Sequence, residues 1–259
     1  MKQHVRCWGK SVEAPIKKSR LLVLGAQAAT IVLLLAIPEV AVRSGLVSPF
    51  ALAPTSEIIA RFIDLIVDGT VFQPLLDTLL LVVLTFVLVA VVGTVLGFCF
   101  WRWGLLRRAF EPLMLAFYAI PGVIFYPILL VVFGIGPPSI MSLGFMLGVV
   151  PVVLGVQDAL GAVDPVLGRT ATVLGASPLA KYLKVIFPAA LADVGGALRL
   201  GFSYVVIGII SGQFLVSSGG LGKLVANYYD RFQVANVYAA AIFIILLAAF
   251  MNAFLEKLK

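Results

Sequence analysis

Residues 75–100 read LLDTLLLVVLTFVLVAVVGTVLGFCF, a run whose only charge is Asp77. A helix crossing the hydrocarbon core of a bilayer needs roughly 20 mostly apolar residues, and this stretch supplies them without a break. Trp101-Arg102-Trp103 follows directly, the aromatic and basic pairing that stops a span at the membrane–water interface. The rest of the chain agrees. Of its 259 residues 62% are hydrophobic and 12% charged, with a mean hydropathy of +1.13. A soluble domain carries roughly 25% charged residues. The composition therefore defines an all-α, polytopic integral membrane protein, and the apolar runs predict about six transmembrane helices.

Working outward from that run, the predicted spans cover roughly 21–38, 75–100, 112–133, 140–160, 190–214 and 236–255. Residues 1–20 form a basic tail with Lys2, Arg6, Lys10, Lys17, Lys18 and Arg20 against one acid, Glu13, and residues 21–259 form the membrane domain. The tail is long for a secretory leader and more spans follow, so the first apolar run reads as an uncleaved membrane helix. Pro38-Glu39 ends it. Thr55-Ser56-Glu57 then caps an amphipathic surface helix carrying Ile58, Ile59, Phe62, Ile63, Ile66 and Val67. Pro121 and Pro127 fall inside the third span, and Gly134-Ile135-Gly136-Pro137-Pro138 is a tight turn. A Gly-rich loop covers 216–222.

Charge placement sets the orientation. With the amino terminus in the cytosol, only Arg43, Arg61, Lys223 and Arg231 of the 19 basic residues fall outside, which satisfies the positive-inside rule and puts both termini in the cytosol. The net charge of +7 is spread between spans, without the clustered basic face and interleaved aromatics that nucleic acid requires. Cys7 and Cys99, one in a basic tail and one in an apolar run, are not placed to pair.

Residues 164–188 break the pattern of spans and short turns. Asp164-Pro165 is a helix cap followed by a first-turn proline, Gly175 a helix terminator, and Ser177-Pro178 a second cap–proline pair before Pro188 leads into span five. This predicts two short helices hinged at Gly175 and tied to membrane spans at both ends. Such an element suits the transmission of a push from a cytosolic partner; a connector resting on lipid headgroups is the plainer reading of the same residues.

The spacing from Gly175 through nine residues to Val185-Ile186-Phe187-Pro188 resembles the cytoplasmic loop signature of bacterial ABC-importer permeases, Glu-Ala-Ala, three residues, Gly, nine residues, Ile-x-Leu-Pro. Ala53-Pro54-Thr55-Ser56-Glu57 is similar to that family's outer Pro-Ser-Pro segment. Pro121 with Phe133-Gly134-Ile135-Gly136 is similar to its third-span proline and Phe-Gly-Ile-Gly turn, and Gly219-Gly220-Leu221-Gly222 to its late Gly-Leu-Gly loop. Over roughly residues 40–255 the chain resembles the sulfonate, taurine and nitrate branch. Two positions depart: Arg169-Thr170-Ala171 stands where the family has Glu-Ala-Ala, and Gln213 where it often has Glu.

The resemblance implies a type I importer permease in the bacterial cytoplasmic membrane. Two permease subunits, identical or different, would form the pore. A cytosolic dimer of ABC ATPases would dock on the two loops, and an extracytoplasmic binding protein would deliver a small solute such as a sulfonate, taurine or nitrate. It assigns the coupling contact to Arg169, Thr170, Ala171, Gly175, Ala176, Ser177, Pro178 and Pro188. Polar or helix-breaking residues in the spans, Pro121, Tyr126, Ser203, Tyr204, Ser211 and Gln213, are candidates to line the path; close helix packing through prolines and small residues is the other reading. Asp193 and Arg199, at the inner end of span five, are the ionisable residues to watch, with interfacial snorkelling or mutual pairing as their ordinary explanation.

The chain has no phosphate-binding Gly-x4-Gly-Lys-Ser/Thr loop, and its one histidine, His4, lies in the tail. ATP hydrolysis is thus expected on another polypeptide, with no cofactor or metal on this one. An ion-coupled secondary transporter half would need inverted repeats and mid-span acids. A membrane assembly factor without transport activity is the other rival.

Overall fold

The computed structural model describes residues 16–216 and 219–257, and every element among them is helical. The basic tail before Ile16, with His4 and Cys7, lies outside the described residues. Helix α1 (Ile16–Arg43) runs through Pro38 rather than ending there. After a short turn comes α2 (Thr55–Val67), the amphipathic helix. Its start is not capped as the sequence predicts. Pro54 occupies the cap position, the Thr55 hydroxyl donates to the Leu35 carbonyl at 2.7 Å, and the Ser56 amide donates to the Glu39 carboxylate at 2.9 Å. The acid that satisfies the first turn comes from α1, not from α2 itself. Arg43 closes the corner on Glu39 at 2.6 Å.

Helix α3 (Phe72–Arg102) is the long apolar span. The third predicted span is corrected. Residues 104–133 form α4 (Gly104–Ala119), a short 3-10 turn (Gly122–Phe125) and α5 (Tyr126–Phe133), and the two arms meet at 93°. The break itself is local: Ile120 precedes Pro121 and is forced out of the helical region to ψ 132°. Among the described residues five helices are long and apolar enough to cross a membrane, and the bent pair makes six if it counts as one passage.

Helix α6 (Pro137–Gly161) begins after Gly134 and Gly136, both at positive φ, with Pro137 in its first turn. Next come α7 (Pro165–Val173) and α8 (Pro178–Lys181). Here too the prediction is corrected. The second short helix is not separate: α8 passes through a π turn (Tyr182–Ile186) into α9 (Phe187–Leu215), giving one helical rod over Pro178–Leu215. Pro188 sits in the first turn of α9, where its missing N–H costs no bond between α8 and α9 that the π turn has not already rearranged. A short helix that the sequence reading did not anticipate, α10 (Leu221–Asp230), precedes the last span, α11 (Val234–Lys257).

The core is the packing of α3, α6 and α9. Three Gly-x-x-x-Gly pairs, Gly93/Gly97, Gly144/Gly148 and Gly208/Gly212, sit one on each helix. A Cβ on Gly208 would stand 2.6 Å from the Gly144 Cα, and one on Gly93 2.6 Å from a Val152 methyl. Without side chains there the backbones close to contact, which in lipid is the main source of helix–helix attraction. Around these glycines Val82, Val89, Leu143, Val152, Val156, Phe202, Val205 and Ile209 are buried.

Candidate functional site

At one end of this bundle the chain leaves α6 and re-enters at α8. Asp164 caps α7 by accepting from the Val166 amide at 2.8 Å, with Pro165 in the first position. Gly175 ends it at φ +79°, its amide donating to the Thr172 carbonyl and the Ala176 amide to the Ala171 carbonyl, each at 3.0 Å. Those two bonds make a Schellman closure. Ser177 then caps α8, accepting from the Ala180 amide at 3.2 Å. Each turn is therefore satisfied by residues within a few positions of it.

What the α7 segment presents is apolar. Val173 is 88% and Leu174 81% exposed, and Val166, Leu167 and Leu179 are also exposed. On its other side Gly168 and Ala171 are buried, and the Lys181 ammonium donates to the Thr172 hydroxyl at 3.2 Å. Arg169, Thr170, Ser177, Pro178 and Pro188 are exposed and Ala176 is half-buried. Arg169 is in no ion pair among the described residues.

The opposite end is knit by long-range bonds. Gln213, late in α9, extends its Oε1 to the Thr78 hydroxyl of α3 at 2.9 Å and to the Gly222 amide at 3.2 Å. Thr78 Oγ1 in turn accepts from the Leu221 amide at 2.8 Å. The first two amides of α10 are thus capped from two other helices. Gln213 and Thr78 are fully buried, and the Gln213 amide nitrogen has no acceptor among the described residues.

This geometry corrects part of the predicted lining. Gln213 and Tyr126 are buried inside a single chain, the Tyr126 hydroxyl donating to the Val216 carbonyl at 3.0 Å, while Gln213 also borders a cavity of about 270 Å³ with Asp77, Leu80, Pro137 and Ile140. Ser203 turns its hydroxyl onto the Arg199 carbonyl at 3.2 Å. Ser211 borders an apolar cavity of about 280 Å³ with Ile210, Phe214 and Ile244. Pro121 and Tyr204 do converge: with Tyr118, Gly122, Met146 and Ile207 they line a cavity of about 200 Å³ at the 93° bend. The Tyr118 and Tyr204 rings are 5.3 Å apart there. Asp193 and Arg199 do not pair with each other.

The sequence reading missed Thr78, whose part in capping α10 depends on a contact 135 residues or more away along the chain. It also passed over the three Gly-x-x-x-Gly pairs, whose signal is present in the sequence.

The fold is a bundle of membrane-length helices closely packed through glycine, with the short helices α2, α7 and α10 between them. The chain belongs to the family of binding-protein-dependent transport system inner membrane components, whose pattern matches residues 89–258. It is similar to the taurine transport system permease protein TauC of Escherichia coli, 25% identical over 80% of this chain and 76% of that one. It is likewise similar to the nitrate import permease protein NrtB of Synechocystis, 25% identical over 66% of this chain and 62% of that one. The inward-facing MetNI methionine ABC transporter shares the fold, with a TM-score of 0.64 at 19% identity over 71% of this chain and 92% of that one. The protein is a transmembrane permease subunit of an ABC importer.

Proposed function

We propose that residues 164–188 are the docking and coupling element for a cytosolic ABC ATPase, and that two permease subunits enclose the path. One observation carries this reading. The α7 segment is rigidly closed at both ends, yet it displays Val173 and Leu174 almost wholly exposed outside the spans. Apolar side chains concentrated on a water-facing element call for a partner to cover them. The element is joined directly to α6 and to the α8–α9 rod, two members of the core trio, so a push on α7 is delivered where the packing is tightest. Arg169 is free to meet an acidic group on the partner, in place of the acidic residue that the family carries there.

On this reading an extracytoplasmic binding protein supplies a small solute. The names of the relatives favour one bearing an oxyanion, such as a sulfonate or nitrate. Pro121 and Tyr204, at the bend, are the predicted lining residues best placed to meet it. The basic residues favour both termini and Lys181 in the cytosol, with Lys223 outside. Labelling intact cells with a membrane-impermeant thiol reagent is expected to modify a cysteine placed at 223 but not one placed at 181. The reverse pattern would invert the topology.

The coupling test is Gly175→Val. Nothing lies within 4 Å of a Cβ at Gly175, so the cost is the left-handed φ alone, about 1–2 kcal/mol for a residue other than glycine. Membrane insertion should survive. Co-purification of the ATPase and substrate-stimulated ATP hydrolysis in proteoliposomes should both fall. If both stay at wild-type levels, this loop is a connector and the assignment is wrong.

A further inference from the structure

A cavity of about 450 Å³ opens between the end of α3 and the start of the α8–α9 rod, at the base of α7, lined by Phe98, Trp101, Arg102, Lys181, Tyr182 and Ile186. Its polar side chains all offer hydrogen-bond donors: a guanidinium, an ammonium, an indole N–H and a phenol hydroxyl. No carboxylate lines it, and neither cation is in an ion pair among the described residues. The remaining wall is apolar, Phe98, Pro178 and Ile186, and continuous with the two polar aromatics. The Phe98 ring lies 4.3 Å from Tyr182 and 5.9 Å from Trp101.

Two further features shape the site. The π turn Tyr182–Ile186 contributes both Tyr182 and Ile186 to the lining, and single π turns recur at binding sites because they swing side chains out of helical register. Lys181 borders the cavity with its ammonium resting on α7: it donates to the Thr172 hydroxyl at 3.2 Å, and a Cβ on Gly168 would stand 3.0 Å from its Cε. Arg102 stands between Trp101 and Trp103, the residues that mark the interface at the end of α3.

We propose that this cavity binds the headgroup of an anionic phospholipid from the adjoining leaflet. Arg102 and Lys181 take the phosphate, and the glycerol and upper acyl chain lie against Phe98, Trp101 and Ile186. A free oxyanion would use the two cations but leave the apolar wall uncovered, whereas an amphiphile uses both halves.

Trp101 itself reports on occupancy. With Trp8→Phe and Trp103→Phe, it is the chain's one remaining indole. The full-length protein is placed in phosphatidylcholine nanodiscs doped with phosphatidylglycerol or phosphatidylcholine whose acyl chains are brominated near the headgroup. Quenching is expected to be markedly stronger with the brominated phosphatidylglycerol. Arg102→Gln or Lys181→Gln should each reduce that preference about fivefold, and Lys223→Gln should leave it unchanged. Native mass spectrometry of the unmutated chain should show phosphatidylglycerol retained over phosphatidylcholine, which keeps the test valid if a tryptophan variant fails to fold. Equal quenching by the two lipids, together with no retention preference, would overturn the proposal. So would loss of the preference on adding inorganic phosphate, which would identify a soluble anion as the ligand.

Discussion

Gly220 and Gly175 both hold a positive φ at opposite ends of the bundle, +93° and +79°. Their surroundings differ completely. A Cβ on Gly220 would collide with the Gln213 side chain, 2.6 Å from its Oε1, while a Cβ on Gly175 would meet nothing. The Gly220 end is closed by residues from α3, α9 and α10 bonded to one another. The Gly175 end is closed only by its own neighbours in sequence. One end is built to hold a shape, and the other keeps its shape by itself while leaving its surface uncovered.

That contrast is most severely tested at Gly220. Gly220→Val combines a disallowed φ with overpacking against a buried amide, and should cost about 2–5 kcal/mol. A sharp drop in the thermal midpoint of the detergent-purified chain is expected. A near-normal midpoint would mean that the two glycines are equivalent after all.

Next in size is the cap on α10. Thr78→Val removes the acceptor for the Leu221 amide and a donor to Gln213, leaving buried groups unpaired at a cost of about 1–3 kcal/mol. Gln213→Leu should behave similarly. Gln213→Glu presents the same acceptor oxygen to Gly222 and Thr78 and should be the mildest of the three. If Gln213→Glu destabilises as much as Gln213→Leu, the acceptor oxygen is not what matters.

Gly175→Val falls below these in stability cost but above them in its effect on coupling, which is the sense in which the two ends differ. Smallest of all are the local caps. Asp164→Ala and Ser177→Ala each forfeit one bond to an amide of a short helix, about 1 kcal/mol by the usual cost of a lost N-cap. Because these caps are separate and local, thermal unfolding of the double variant should show the two losses adding. A large excess over the sum would show that α7 and α8 are one cooperative unit.

The same contrast governs what the sequence revealed. The α7 closure was legible because Asp164-Pro165, Gly175 and Ser177-Pro178 each act within a turn of where they stand. The cap on α10 was not, since Thr78 is 143 residues from the amide that it accepts. Gln213 was read as a lining residue because a polar side chain in a span looks the same in sequence whether it faces a path or a neighbouring helix. The start of α2 failed for a related reason: Glu57 lies in its first turn, but the carboxylate that does the capping is Glu39. At the bend, two prolines in an apolar run were visible, but a proline restrains only its own φ and the residue before it. The 93° angle depends on how α5 then packs on α6.

The α8–α9 rod gives the two ends a mechanical relation. Its 38 residues, from Pro178 beside α7 to Leu215 just past Gln213, span about 57 Å at the rise of an α-helix. A lever of that length magnifies rotation: a tilt of about 5° about one end carries the other through about 5 Å, more than a hydrogen bond survives. On the proposed coupling, a swing begun at Pro178 would therefore arrive as strain on the Gln213–Thr78 clasp, which would then act as a latch rather than a brace.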